Sequence, residues 1–426
     1  MATTRLCTAV TAQLPPPRSV LVLGGGIIAR ACALRLQEQG CAVTLVAEPD
    51  TVPPSWGNAG HIATEQVHVL ASLATATRVL SDHFPRGPVA LDWGSAPAWL
   101  PWSFRFLRAC LPGRVRESDA ALRGLMLNAL PAWEKLANAL DRPDLLDLRG
   151  VVKLWEGADA DQKATGALKA DHGPATTTPL DAAHIAAFNL ALATPVKAGV
   201  HFAGTAHITN PRDVLDTLLA RFIAAGGTHL AARAVKITPQ AEAVRVNTTQ
   251  GDLTADRVVV ACGVRSGTLL PDVAVPLVAE RGYHVEWDHG GQWTLPNAVF
   301  EDRAVVVTRF GSRLRATSFV EFTRDASAPD PRKWERLEAH VRALGLPVAS
   351  PFARWHGSRP TLPDYLPALG TFRHAPRVVA AYGHNHLGLT LGPVTADVLS
   401  AHILRGAPLP TAFSPDRFGL RSGFSK

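Results

Sequence analysis

Gly24-Gly25-Gly26-Ile27-Ile28-Ala29 has the G-x-G-x-x-G/A spacing, and an acid, Glu48, follows 22 residues after Gly26. Together these residue types can grip a dinucleotide. Gly24 makes a tight turn, Gly26 lets a pyrophosphate approach the backbone, and Ala29 is small enough for a helix to lie close on a strand. N–H groups from Ile27 onward would meet the phosphates with the positive end of a helix, and Glu48 would accept hydrogen bonds from ribose hydroxyls. This spacing does not separate NAD from FAD. The plain alternative is a tight turn with no ligand, and the flanking segments weigh against it.

Those segments are what must position the glycines. Residues 19–23 are almost entirely apolar, as expected of a parallel strand buried on both faces. Ile28, Cys32 and Leu36 then recur at helical spacing until Gly40 offers a stop. A second apolar run over 42–47 ends at Glu48, which completes strand, turn, helix, strand, acid. From about 97 to 181 the pattern predicts mainly helix, broken at Pro112-Gly113 and Arg142-Pro143. Residues 210–263 predict a helix and three strands, the last of them "VVVACG". Alternation in "GYHVEW" and "AVVVTRF" predicts antiparallel strands of a mixed sheet between 275 and 354. The chain closes with strand "RVVAAY", the turn "GHNHLG" and a helix through "TADVLSAHIL".

Composition narrows the rest. The chain has 426 residues, 47% hydrophobic and 19% charged, in the range of ordinary globular proteins. Its five scattered cysteines (Cys7, Cys32, Cys41, Cys110, Cys262) show no C-x-x-C pair. That argues for a reducing compartment and against a disulfide or metal framework. The net charge is +7, but no Lys/Arg run is dense enough to point to nucleic acid. Residues 1–18 lack the apolar core of a signal peptide, and no apolar run reaches the roughly 18 residues of a spanning helix.

"SWGNAGHIATEQV" (55–67) reads by composition as a loop. In its order, and with "VVVACGVRSGTLL", "GSRPTLPDYLPALG" and "AAYGHNHLGLTLGPVTADVLSAHI", it resembles FAD-dependent amino-acid dehydrogenases of the glycine oxidase and D-amino-acid oxidase superfamily. The likeness is nearest to bacterial D-amino-acid dehydrogenases and D-hydroxyproline dehydrogenases. It runs from residue 19 to about residue 403.

The resemblance implies that Gly24, Gly26, Ile27 and Glu48 hold the ADP half of FAD, and that the backbone of Val235 touches adenine. It lays Asn58, Ala59 and Gly60 along the flavin, with Gly263 closing the strand that returns to the cofactor. Gly383 and Gly388 leave room for the ring, while Leu389 and Thr390 open a helix whose N-terminus favours negative charge on reduced flavin. Arg359 in "GSRP" matches the arginine that forks onto the substrate carboxylate. Where glycine oxidase carries a second arginine before Asn-Gly, this chain has His386 before Leu387. Tyr283 and His284 fall on the strand that faces substrate in the family, where a half-buried sheet residue is an equal reading for Tyr283. His61 and His384 flank the flavin loops, with packing as good an account as function.

The expected fold is α/β: an FAD-binding Rossmann-like domain (19–95, 200–274, 352–426) with an inserted α+β substrate domain (96–199, 275–351) built on a mixed sheet, after a mobile extension (1–18). The expected reaction is oxidation of the C–N bond of a small D-amino or cyclic imino acid, by hydride transfer to flavin N5, giving an imine. The expected site residues are Arg359, Tyr283 and His386, beside a non-covalent FAD. The rivals are a sarcosine or glycine type of secondary-amine oxidase and an electron-relay subunit of a hetero-oligomer. The electron acceptor is left open among oxygen, a quinone and a protein. The expected location is the cytoplasm, with a peripheral place on the inner membrane face as an extension. "PAWLPWSFRFLRACLPGRVR" (97–116) could lie on such a surface, though core packing is the preferred reading.

Overall fold

The computed structural model describes residues 14–270 and 273–419. Residues 1–13 of the expected extension fall outside that range. Its last residues are tied down: Arg18 N–H donates to Asp256 Oδ2 at 2.7 Å, and the Pro15 carbonyl accepts from Arg257 at 3.0 Å.

Two sheets organise the chain. The first has the strand order Thr228–Ala231, Ala42–Ala47, Ser19–Leu23, Arg257–Val260, Ala375–Tyr382, Ala368–Phe372. Its first five strands are parallel and the last is antiparallel. The inner strands Ser19–Leu23 and Arg257–Val260 are buried on both sides, which explains their apolar runs, while the edge strand Thr228–Ala231 is mostly exposed. Val20, Val22, Leu45 and Val259 face helices Ile27–Glu38 and Gly388–Arg405. Leu21, Leu23, Val258 and Val260 face the antiparallel meander Ala234–Pro239, Val244–Thr248, Gly251–Ala255.

The second sheet has nine strands and is mixed. From one edge its order is Ala353–Thr361, Val278–Asp288, Arg313–Thr323, Val305–Phe310, Ala298–Phe300, Val151–Trp155, Ala198–Ala203, Thr176–Pro179, and Val89–Leu91 joins beside Arg313–Thr323. Helix Pro331–Leu344 covers one face through Leu337, Val341 and Leu344. A small sheet, His61–Ile62, Ala206–Ile208, Leu146–Asp147, links the two halves.

Two expectations shift. Strands Val89–Leu91, Ala198–Ala203 and Ala353–Thr361 join the larger sheet, although most of their residues lie within the segments expected to bind FAD. The helical stretch after residue 97 also contains strands Val151–Trp155 and Thr176–Pro179. Among the described residues one helical stretch, Asn385–Arg405, is long and apolar enough to cross a membrane, and two-thirds of its most apolar 18-residue window is buried inside the protein. There it packs on Ile27–Glu38 so closely that a Cβ at Gly392 would press on Ile27, and a core position accounts for its apolarity.

Candidate active site

The nucleotide end forms where three parallel strands stop. Gly24 has φ +129°, and a Cβ there would strike the Ala261 carbonyl on the neighbouring strand, so glycine is demanded by a close backbone approach. Helix Ile27–Glu38 has no acid in its first turn and no capping side chain from Gly26; the Ile27 N–H donates to Ser55 Oγ at 3.2 Å. Arg30 pins the turn from below, donating from Nε to the Gly25 carbonyl (2.9 Å) and from Nη1 to the Leu215 carbonyl (2.6 Å). Glu48 sits one residue past its strand, ion-paired with Arg265. Gly263 has φ +57° and open space around it, and begins the short turn that carries Arg265. The meander's register skips Val235 between Ala234 and Lys236, a bulge of the kind that leaves its residue outside the ladder. Val235 is half exposed.

The next section is a loop held against both halves. Asn58 Oδ1 accepts the Gly60 N–H at 2.8 Å, Gly60 has φ +79°, and the Gly60 carbonyl accepts from Ile208 at 2.8 Å. Arg315 reaches in from the large sheet and donates to the Asn58 carbonyl (2.6 Å) and the Trp56 carbonyl (3.1 Å). Its buried charge is balanced by Glu286 at 2.7 Å. Opposite, Asn385 takes a left-handed conformation (φ +44°) and donates to the Tyr365 carbonyl. No side chain caps helix Gly388–Arg405. Trp133 fixes its first turn by donating to the carbonyls of Leu389 (3.0 Å) and Thr390 (3.2 Å), and Thr390 Oγ1 accepts the Ala63 N–H.

The substrate end is written in strand register. Glu280 pairs with Arg359, Gly282 with Gly357 and His284 with Trp355, and strand alternation puts all six on one face. Arg359 donates from Nη1 to Glu280 (3.2 Å) and to the Phe319 carbonyl (3.0 Å). Glu280, 2% exposed, also accepts from Thr361 Oγ1 (3.1 Å) and the Tyr365 hydroxyl (3.2 Å). The guanidinium leans over Gly282 and the Trp355 indole over Gly57 and Gly357, where any Cβ would collide with them. His284 stacks on Trp355 at 4.9 Å and bonds the Gly57 carbonyl through Nδ1. His386 meets Gln66 Oε1 at 2.6 Å through Nε2. Burial, opposed by Glu280 and aided by Arg359, pushes its proton affinity down to about 4, so this imidazole is neutral at neutral pH and donates to the amide oxygen.

Tyr283 is a correction. It lies on the opposite face of its strand, fully buried with Phe319 and Trp334 under helix Pro331–Leu344, and its hydroxyl donates to Glu321 at 2.5 Å. The face toward Arg359 carries Glu280, Gly282 and His284 instead. Sequence reasoning passed over Glu280, Gly282 and Tyr365, although alternation in "ERGYHVEW" separates E-G-H-E from R-Y-V-W. His384 is buried against Thr395 Oγ1 at 3.0 Å and bridges to Thr361. His61 touches Glu65 (3.1 Å), and its ring lies 4.8 Å from that of His207, tilted by 37°. Burial raises the Glu65 carboxyl's proton affinity, but His61 and Lys153 together outweigh it and hold it at about 2. A cavity of about 490 Å³ reaches His207 and Ile208 behind the Gly60 loop; none of the Arg359 corner lines it.

Helix N-termini whose N-cap residues supply no capping side chain, a glycine turn, an acid at a strand end and a bulge in the meander fit an extended dinucleotide with a flat ring system, and the class so defined is that of FAD-dependent oxidoreductases. Residues 19–402 match the DAO family of FAD dependent oxidoreductases, and the chain belongs to that family. It is 30% identical to a D-amino-acid oxidase of Bradyrhizobium diazoefficiens over 95% of this chain and all of that one. It is 29% identical to D-amino acid dehydrogenase 2 of Ralstonia nicotianae over 91% of this chain and 97% of the relative. Among solved structures, glycine oxidase from Geobacillus kaustophilus shares the fold (TM-score 0.71, 18% identity, 95% of this chain and 99% of that one). So does an iminodiacetate oxidase from Chelativorans (0.69, 17%, 93% and 98%).

Proposed function

We propose that the chain oxidises the α C–N bond of a small D-amino or cyclic imino acid bearing one carboxylate and an uncharged side chain. The observation that carries this reading is the Arg359 corner, in which one arginine is balanced by the buried Glu280. One carboxylate can displace part of the Arg359–Glu280 contact and take the guanidinium fork. A second carboxylate held there would meet the negative charge of Glu280. The names of the D-amino-acid relatives support the D configuration.

Bound FAD supplies the two-electron acceptor. The chain's own residues do the rest by position and charge. Arg359 orients the carboxylate, and Glu280, braced by Thr361 and Tyr365, keeps the guanidinium in place between substrates. His386 is a hydrogen-bonding wall, held by Gln66. The uncapped end of Gly388–Arg405 would favour negative charge on a neighbouring electron acceptor. Gly24, Gly26, Ile27, Glu48, Gly263 and the Val235 bulge would hold the nucleotide, and Asn58, Ala59, Gly60, Gly383, Gly388, Leu389 and Thr390 the ring.

The cofactor is held without a covalent bond on this reading. Cys262, next to Gly263, has its thiol pushed up to about 12 by burial, which disfavours the thiolate. Free buried thiols also suit a reducing compartment such as the cytoplasm. Anaerobic mixing with paired D and L isomers tests the substrate assignment. Flavin bleaching by D-proline or a neutral D-amino acid, and not by its mirror image, is expected. Faster bleaching by L isomers, or by sarcosine and glycine, would replace it with the secondary-amine reading.

A further inference from the structure

Helix Ala96–Ala109 has two apolar faces. Trp99, Trp102, Phe106 and Ala109 are buried. The opposite side carries Leu100, Phe104 and Leu107, continued by Leu111, at helical spacing, and all four are exposed; Phe104 is 64% exposed, and Trp93 in the preceding turn is 70% exposed. Large apolar side chains in a contiguous exposed stripe mark an interaction surface.

Charge says what kind. Arg105, Arg108, Arg114 and Arg116 are exposed around the stripe, and none has an ion-pair partner among the described residues. The segment 93–116 contains no Asp or Glu. An exposed apolar stripe with four arginines along it, in a segment whose first acids are Asp92 and Glu117 at its ends, matches a deformable anionic layer, which can admit side chains between headgroups and surround the arginines with phosphates. We propose that this face docks on the headgroup layer of an anionic lipid bilayer, with Phe104 and Leu107 dipping into it and Trp93 at its edge.

The inner face of the same helix reaches the candidate site. Trp102 Nε1 donates to the Thr361 carbonyl at 3.0 Å, and the rings of Trp102 and Phe106 stand 6.2 and 6.1 Å from Tyr365. Thr361 and Tyr365 are the two residues that brace Glu280. A docked bilayer would therefore lie one helix away from the Arg359 corner.

The test is flotation of the full flavin-loaded chain with phosphatidylcholine vesicles, with and without phosphatidylglycerol. Binding is expected only with phosphatidylglycerol present, and it should be lost near 1 M salt, where the Debye length is about 3 Å. Arg105→Gln with Arg108→Gln should lower partitioning roughly thirtyfold, about fivefold for each cation. Phe104→Ser with Leu107→Ser should lower it at least about tenfold. Leu190→Ser, a still more exposed leucine elsewhere (91%), should leave it unchanged. Turnover with a soluble dye acceptor should be unaltered in every variant. Absence of flotation by the unmodified chain at low salt overturns the proposal, as does flotation that ignores these substitutions. A homodimer in light scattering that these same variants abolish would also overturn it, assigning the face to a second copy.

Discussion

On the proposed reading, the planar fork of Arg359 faces a carboxylate while one edge stays anchored on Glu280 and the Phe319 carbonyl. Arg359→Lys keeps the charge and loses the fork. Steady-state kcat/KM should fall at least about tenfold, the roughly 1.5–3 kcal/mol of a charged hydrogen bond, and an unchanged value removes Arg359 from substrate binding. Glu280 sets the sign of the corner. Glu280→Gln should raise the kcat/KM ratio of D-aspartate to D-alanine by roughly tenfold, because the repulsion of a second carboxylate is gone; a constant ratio would sink this role. Arg359 was a candidate from "GSRP" and its resemblance, whereas Glu280 beside it was not. A lone glutamate in a strand carries no motif, and only the pairing of 278–288 with 353–361 puts it beside the arginine. Tyr283 was misplaced for a related reason: one residue along a strand reverses the face.

The glycine turn joins strand to helix, and its two glycines should fail in different ways. Gly26 borders Ser55 Oγ, 3.3 Å from where a Cβ would stand, so a small addition is tolerated but the branched side chain of Gly26→Val would fill phosphate space. That variant should fold with near-normal stability and purify colourless; retained flavin absorbance would contradict the assignment. Gly24→Ala instead drives a Cβ into the next strand's carbonyl at φ +129°, and thermal unfolding should show a loss of roughly 2 kcal/mol or more, with or without cofactor. The strand-turn-helix unit was readable because its apolar run and helical spacing are local. Val151–Trp155 was not, since an isolated five-residue run inside a helix-rich stretch gains its strand identity from distant partners at 298–300 and 198–203.

At the scale of the whole molecule, buried neutral histidines make the fold acid-sensitive. Burial, then Arg315, lowers His284 to about 2, and burial lowers His384 to about 3. Unfolded, both would titrate near 6.5. Below that pH the unfolded chain takes up protons that the folded chain refuses, so stability falls as pH drops from about 6.5 toward about 3. Each histidine forfeits about 2 kcal/mol by pH 5, against a typical total of roughly 5–15. Urea midpoints should therefore drop clearly between pH 7 and pH 5, and equal midpoints would refute this. The first sheet also draws its neighbours from remote parts of the chain: Arg257–Val260 lies between Ser19–Leu23 and Ala375–Tyr382. During synthesis, roughly 120 more residues must emerge before that strand's second edge is covered, a wait of about 6–25 s at about 5–20 residues per second. For that interval the nascent chain presents Val258, Val259 and Val260, each fully buried in the finished protein, along an open strand edge. The topology that gathers the cofactor-binding turns at one sheet end thus makes the half-made polypeptide a natural client for chaperones on the ribosome.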